Sequence, residues 1–340
     1  MKPKQWNFNL ILFFFIIYSI TILIYYIVNP YQIFEYSITK KKFFYSQNEY
    51  PIKLFNKLKT KKYSLLFGTS RSQRVQTDGT NTPILNLASL YGNPLSVLDF
   101  LHQLNQKQIK NIDKIYYLVD DHCLNGYDTT DEHSHYKKIN FHKSLKIYDL
   151  TNLLEINQDK IARIIDDIKY NFFKQNTYVL TENGAMNRVN DLEYYNVPDI
   201  YKTKSTRQYY EEDGLNALIE VNNFCIKNNL TISYYTPTHF DKYDKLMNPK
   251  IIYKKWSYLL DNGIDSFYAL WYIDDISNLI KDNHYVAFSD KHSHMNNFYV
   301  HKVFIDNVVK DSRQYKVSNK KELILYLKKN QKYFLSKLKK

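Results

Sequence analysis

An uncharged apolar run lies close to the start of the chain. Residues 10–28 read LILFFFIIYSITILIYYIV, and a helix needs roughly 20 residues to cross the hydrocarbon core of a bilayer. A signal peptide has a shorter apolar region of about 7–15 residues, followed by small residues at its cleavage site. Here Asn29 and Pro30 follow the run. The pattern therefore predicts an uncleaved membrane anchor over residues 1–30, with residues 10–28 in the lipid bilayer.

Beyond a connector at residues 31–61, short apolar runs alternate with helical patterns. Fully apolar strands separated by helices are typical of a parallel sheet that is covered on both faces. The sequence therefore predicts an α/β domain over residues 62–312, built on a parallel sheet of about five strands. The five runs are KYSLLFG at 62–68, PILNLAS at 83–89, KIYYLVDD at 114–121, LTISYYTPTH at 230–239 and SFYALWYI at 266–273.

Helical and polar segments complete this organisation. Asn93 and Pro94 are typical of a helix start, and helical spacing of apolar residues continues to about Lys110. Residues 124–206 are polar and poorly periodic, which indicates an insertion of helices and loops. Residues 313–340 have the pattern of a basic amphipathic helix. Such a helix either lies on anionic lipid or packs on the domain with its lysines in water, and we expect the second.

Composition narrows the classes of function. The net charge is +13 (47 − 34), but the lysines are spread along the chain and no RNA- or DNA-binding signature accompanies them. Nucleic acid is therefore not an expected partner. Lys2 and Lys4 precede the apolar run and residues 40–42 are lysines after it, so charge does not orient the anchor. Cys123 and Cys225 form no C-x-x-C pair, which excludes a zinc ribbon, and we expect two unpaired thiols.

A candidate nucleophile follows the first apolar run, in the segment LLFGTSRSQR. Ser70 lies where the strand ends, and Gly68 allows a tight turn before it. Ligands of open parallel sheets bind beyond the carboxyl ends of the strands. A serine there can lie near the backbone N–H groups that begin the next helix, and such donors stabilise the oxyanion of an acyl-transfer intermediate.

A candidate base lies far along the chain, in HYVAFSDKHSHMNNFYVHKVF. Asp290, His292 and His294 occupy a polar stretch, and an apolar helical pattern follows at once. One such stretch can supply both a general base and the carboxylate that orients it, while the nucleophile comes from another strand end. Either histidine can fill the role of base.

Together these segments resemble the SGNH (GDSL-type) hydrolase superfamily. The resemblance is to the membrane-anchored branch with a G-[ST]-S-R first block, which includes alginate O-acetyltransferase accessory proteins and teichoic-acid D-alanyl-transfer proteins. In order of elements it covers residues 62–309. Gly68-Thr69-Ser70-Arg71 matches the first block, and NLASLYG at 86–92 is similar to the second. Asp290 and His294 are similar to the closing block.

The resemblance implies a flavodoxin-like three-layer domain without a cofactor. It implies Ser70 as nucleophile, His294 as general base with His292 as the alternative, Asp290 to orient the base, and an oxyanion contact from Gly92. The other oxyanion or substrate residues that it implies are Arg71, Asn86 and Asp121. The implied function is ester hydrolysis or O-acyl transfer on a cell-envelope carbohydrate, with that glycan or an acyl-donor protein as partner. The implied location is the inner membrane, with the soluble domain outside the cytoplasm.

Two departures from the family pattern matter. The closing block of the family reads D-x-x-H. Here three residues separate Asp290 from His294, one more than in that pattern, and one residue separates Asp290 from His292, one fewer. The third block, which normally supplies an asparagine, holds Asp120-Asp121-His122. Since a carboxylate repels an oxyanion, either the oxyanion hole is built differently, or the carboxylate has another task, or catalysis is weak or absent. The last case leaves a non-catalytic module that binds glycan or a partner.

Histidine pairs offer a competing hypothesis. His133 and His135 form one H-x-H pair, and His292 and His294 form another. With aspartates nearby in the sequence, these imidazoles have the chemistry of a zinc site. Two such pairs in polar segments are more often solvated histidines, so we expect no metal.

Overall fold

The computed structural model describes most of the predicted domain and the N-terminal helix. The described residues are 3–28, 42–43, 55, 62–69, 71–75, 80–88, 92–120, 158–173, 178–180, 186–188, 212–238, 249–273 and 297–332. The strands are β1 Lys42–Phe43, β2 Tyr63–Phe67, β3 Ile84–Asn86, β4 Ile112–Leu118, β5 Tyr178–Leu180, β6 Met186–Arg188, β7 Thr231–Tyr235, β8 Phe267–Tyr268 and β9 Lys316–Val317. The α-helices are α1 Pro3–Val28, α2 Pro94–His102, α3 Gln106–Lys110, α4 Gln158–Phe173, α5 Glu212–Lys227, α6 Pro249–Asp261, α7 Asn297–Val303 and α8 Lys320–Lys329.

The main sheet has six strands in the order β3-β2-β4-β7-β8-β9. The first five are parallel and coincide with the five predicted apolar runs, while β9 joins antiparallel at the edge. The prediction of an α/β domain on a mostly parallel sheet is therefore confirmed. The chain goes from β2 to β3 on one side and then crosses to β4 on the other. This reversal between β2 and β4 is the kind of switch point where open sheets bind ligands.

Apolar side chains alternate between the two faces of this sheet and make two cores. Leu65, Phe67 and Tyr117 belong to the larger core, together with buried side chains of α2, α5, α6 and α8. Leu66 and Leu118 belong to the other core, which a π-helix at Phe304–Val309, continuing α7, completes. Helices thus pack on both faces, which explains why the strands are apolar on both sides.

The predicted helical stretch from Asn93 to about Lys110 is two helices. Asn93 caps α2 by accepting a hydrogen bond from the Leu95 backbone N–H, and Pro94 occupies the first turn. After a break at residues 103–105, Asn105 and Gln108 form a reciprocal capping box that starts α3. The apolar spacing runs through the break because Leu104 is buried as well, so periodicity alone predicted one helix.

The predicted insertion contains strands as well as a helix. Between residues 124 and 206 the structure describes α4 and the short strands β5 and β6. These strands form a small antiparallel sheet with β1 from the connector. Each strand has two or three residues, too few for a period-two pattern to be visible in the sequence. The prediction of helices and loops alone was incomplete here.

Helix α1 coincides with the predicted anchor. It has 26 residues and is about 39 Å long at 1.5 Å per residue, which exceeds the roughly 30 Å hydrocarbon core of a bilayer. Only 6% of an 18-residue apolar stretch of this helix is buried, so α1 is not a core helix of the domain. By length and composition it is able to span a membrane.

The C-terminal segment begins differently from the prediction. A 3₁₀ turn at Arg313–Tyr315 and strand β9 precede α8, so the helix starts at Lys320. Asn319 caps it by accepting from the Glu322 backbone N–H. Leu323 is fully buried in the larger core, whereas Leu325 is 65% exposed. The helix therefore packs on the domain, as expected.

This packing predicts opposite outcomes for two neighbouring leucines of α8. Leu323→Ala should lower the free energy of unfolding by about 2–5 kcal/mol, because it removes a buried side chain and leaves a cavity. Leu325→Ala changes helix propensity equally and should cost no more than about 0.5 kcal/mol. Urea unfolding of the full chain in detergent measures both. Equal costs for the two variants would contradict the packing of α8 on the domain.

Candidate functional site

The loop after β2 needs a glycine at its first position. Gly68 has φ +148°, a conformation that side chains of L-residues rarely adopt. A Cβ atom on Gly68 would collide with Ser72 Oγ and would lie 2.7 Å from Leu118 Cβ. Backbone conformation and space therefore both demand glycine. The predicted tight turn at the end of β2 is present.

Two hydrogen-bonded turns follow this glycine. The Ser72 backbone N–H and hydroxyl both donate to the Thr69 carbonyl oxygen, at 3.0 and 3.1 Å. The Val75 N–H then donates to the Ser72 carbonyl oxygen at 3.1 Å. The sequence pattern predicted the start of a helix after Ser70. Among the described residues of this loop the structure has turns instead, so a regular helix N-terminus does not supply the donors here.

Asn86, at the end of β3, holds these turns from behind. Its side-chain amide donates to the carbonyl oxygens of Ser72, Gln73 and Val75 at 2.9, 3.2 and 3.1 Å. Its side-chain oxygen accepts from the Ala88 backbone N–H at 3.0 Å. Asn86 is buried, and these contacts use both ends of its carboxamide. It therefore positions the loop, a role that differs from the substrate contact that the resemblance implied.

Gly92 packs directly on the loop. A Cβ atom at Gly92 would lie 3.0 Å from the Gly68 carbonyl oxygen and 3.5 Å from Thr69 Cα. The Tyr117 hydroxyl donates to the Gly92 carbonyl oxygen at 3.0 Å, which fixes the peptide that follows Gly92. Gly92 of the second sequence block thus lies against the first block, and a side chain at position 92 would require the backbone of the loop to shift by a few tenths of an ångström.

A buried carboxylate ties the loop to the next strand. Asp120 follows β4, and its side chain is 2% exposed. Its Oδ2 accepts a hydrogen bond from Thr69 Oγ at 3.0 Å and lies 3.5 Å from Arg71 Nε. Thr69 Oγ in turn accepts from the Arg71 backbone N–H at 3.3 Å. The carboxylate of Asp120 therefore contacts Thr69 and Arg71, the residues on either side of Ser70 in the sequence.

A small cleft of about 30 Å³ opens beside Arg71 at the carboxyl edge of the sheet. Its walls are mostly apolar and come from the ends of β4, β7 and β8 and from α7. Burial raises the pKa of the Tyr235 phenol well above its usual range, so this side chain stays neutral and acts as no base near neutral pH. The other lining residues are Arg71, Val75, Leu118, Thr236, Pro237, Thr238, Leu270, Val300, Val303 and Phe304.

The structure brings three predicted site residues together and leaves five undescribed. Arg71, Asn86 and Gly92 meet around the loop after β2. The predicted site residues outside the described part of the chain are Ser70, Asp121, Asp290, His292 and His294. The His133–His135 pair of the zinc hypothesis lies outside it too. Among the described residues no cluster of three or more metal-ligating side chains occurs.

Two contributors to the site were missed by the sequence pattern. Thr69 lies in the first block, but the sequence predicted no role for it, and Tyr117 lies in the apolar run of β4. A polar residue inside the matched block is a weak signal for Thr69. Nothing local marks Tyr117, because its hydroxyl meets a residue 25 positions away.

No family model, curated protein or solved structure matches this chain.

The geometry predicts that Asp120 maintains the loop. Asp120→Ala should lower the free energy of unfolding by about 2–4 kcal/mol, since it removes a buried acceptor of Thr69 and the counter-charge of Arg71. Asp113 is exposed in β4, the strand that Asp120 follows. The free energy of unfolding of Asp113→Ala should stay within about 0.5 kcal/mol of the parent value. Urea unfolding of the full chain measures both. If Asp120→Ala proves as mild as Asp113→Ala, the carboxylate does not hold the loop.

Proposed function

We propose that this chain is a membrane-anchored serine enzyme of the SGNH type, an ester hydrolase or O-acyltransferase that acts on a cell-envelope carbohydrate. One observation carries the proposal. The segment of the predicted first block, the glycine of the second, and the helix that directly follows the closing block all lie at one edge of the sheet, around or next to one cleft.

The order of the strands supports the SGNH-type, flavodoxin-like assignment. Numbered along the chain, the five parallel strands of the main sheet have the order 2-1-3-4-5, which is the flavodoxin-like order of doubly wound sheets. In this order ligands bind where the first and third strands separate. The loop of Gly68 follows the first of these strands and Asp120 follows the third.

Chain connectivity supports a shared site for Ser70 and the histidines. Val300 and Val303 of α7 line the same cleft as Arg71, and α7 begins at Asn297. His294 precedes Asn297 by three residues, and an extended chain spans at most about 3.6 Å per residue. The Cα atom of His294 is therefore within about 11 Å of the start of α7.

The proposed reaction uses these groups as follows. Ser70 Oγ attacks the ester carbonyl carbon while His294 takes the serine proton and Asp290 orients the imidazole. Gly92, held against the loop, donates to the oxyanion. The leaving alcohol departs with the proton from His294, and an acyl group remains on Ser70. Water or a carbohydrate hydroxyl then attacks the acyl carbon while His294 takes its proton. The bond to Ser70 Oγ breaks and His294 returns the proton to Ser70, which gives hydrolysis or transfer.

The aspartate at the third block fits this proposal. The carboxylate of Asp120 accepts from Thr69 and lies beside the Arg71 guanidinium. Its negative charge is thereby offset, and it acts on the loop instead of facing an oxyanion. Among the alternatives for this departure, we favour the one that gives the carboxylate another task.

The proposed setting is the cell envelope. Helix α1 acts as an uncleaved anchor in the cytoplasmic membrane, and the domain lies outside the cytoplasm, where the envelope carbohydrate or an acyl-donor protein is available. This assignment rests on the apolar helix and the family resemblance. The rival function is a non-catalytic module of the same fold that binds glycan or a partner.

The mechanism predicts a pattern among three variants, measured as turnover of p-nitrophenyl acetate with the melting temperature of each. Ser70→Ala should abolish turnover and leave the melting temperature close to that of the parent. His294→Ala should reduce the rate about 10²–10⁴-fold, the contribution of a positioned base. His292→Ala is the matched control and should be mild, because only one histidine occupies the base position.

Other outcomes reject particular parts of the proposal. If His292→Ala is the damaging change, His292 is the base and the remaining roles stand. If Ser70→Ala keeps turnover that chelators abolish, the serine mechanism is wrong and a metal site replaces it. A parent protein without turnover on any ester tested favours the binding module.

A further inference from the structure

Helix α4 is amphipathic, with one continuous apolar side. It belongs to the segment inserted between β4 and β7. Apolar residues recur at three- and four-residue spacing, which places them on one side of a helix. They are Ile161, Ile164, Ile165, Ile168 and Phe172. The sequence of α4 also contains three basic and three acidic residues, so its formal net charge is zero (3 − 3).

Only part of this apolar side is covered. Ile164 is 6% exposed, but Ile161, Ile165 and Phe172 are 41%, 45% and 62% exposed. The three exposed side chains lie at positions i, i+4 and i+11, so they form one row along the helix. We call this row the α4 stripe. A water-soluble helix normally turns such a row toward a core, whereas the side chains of the α4 stripe stay 41–62% exposed.

The location of α4 indicates what covers the stripe. α4 contacts β1 and also α1, the helix that we propose as the membrane anchor. Along α1 most of the large apolar side chains from Trp6 to Tyr26 are exposed, and Val28 at its end is buried. The surface of α1 that requires lipid therefore lies next to the helix that carries the stripe.

We propose that α4 is a second membrane contact of this protein, an interfacial helix whose stripe enters the boundary between headgroups and acyl chains of the bilayer that holds α1. This inference rests on the proposed anchor. Interfacial helices bind through apolar area and through attraction of basic residues to anionic lipid. Because α4 has no net charge, apolar burial dominates, and zwitterionic lipid is sufficient. Two contacts with one bilayer restrict the tilt of the domain above the membrane.

The test measures the depth of single nitroxide labels in the full chain, reconstituted in phosphatidylcholine vesicles. Cys123→Ser leaves only Cys225, which is buried and whose thiol pKa burial raises to about 12, so the background should take up no label. Ile165→Cys and Phe172→Cys then place labels on the stripe. Ile226→Cys is the matched control, an isoleucine of α5 that is 61% exposed. Phe14→Cys reports on the anchor itself.

The depth of each nitroxide label is measured from its collision rates with oxygen, which concentrates in the bilayer, and with a nickel chelate, which stays in water. We expect the ratio of the oxygen to the nickel collision rate to be at least about tenfold higher for the labels at 165 and 172 than for the label at 226. The label at 14 should lie deepest. If 165 and 172 behave like 226 while 14 lies in lipid, the inference is wrong and the anchor stands. If 14 is exposed to water, anchor and inference fail together. Shielding of 165 and 172 from both reagents indicates a protein partner and overturns a lipid contact.

Discussion

The hydrogen bonds of Asp120 and Asn86 hold the loop that follows β2. Gly68 turns the chain through a conformation that other residues rarely adopt, and two hydrogen-bonded turns follow among the described residues of the loop. Asn86 fixes three carbonyl oxygens from one side, while Asp120 accepts from Thr69 and balances Arg71 on the other. Gly92 packs against the loop that these two constraints hold, with 3.0 Å between the Gly68 carbonyl oxygen and the position that a Cβ atom would take on Gly92.

The same constraint gives Asp120, in the predicted third block, a structural role. A carboxylate at that position, judged from the sequence alone, argues against an oxyanion hole. In the folded chain the carboxylate meets Thr69, 51 residues earlier, and the guanidinium of Arg71. Its partner set depends on β2 and β4 being neighbours in the sheet. Residue type alone could not show these partners, and the effect of a charge depends on its partners.

The main strands were predictable because each is an apolar run that helices cover on both faces. Five of the six strands of the main sheet, and the helix that packs at the C-terminal end, follow from patterns of that kind. Strand β9 and the small sheet of β1, β5 and β6 were not predictable, since these strands have two or three residues and do not lie in a longer apolar run of the kind that contains β3 and β8. The candidate site divides in the same way. A sequence motif predicted that Gly68, Arg71 and Gly92 belong to it. The roles of Asn86 and Tyr117 depend on contacts with residues distant in sequence.

The proposed mechanism depends most on Ser70 being an activated nucleophile within this loop. A fluorophosphonate tests this directly, because a serine oxygen that a base deprotonates attacks phosphorus, forms a P–O bond and releases fluoride. Intact-mass measurement of the full chain should show one adduct, and peptide mapping should locate it on Ser70. The adduct should vanish in Ser70→Ala and form far more slowly in His294→Ala. A folded parent protein that forms no adduct, or an adduct that persists in Ser70→Ala, would contradict the account.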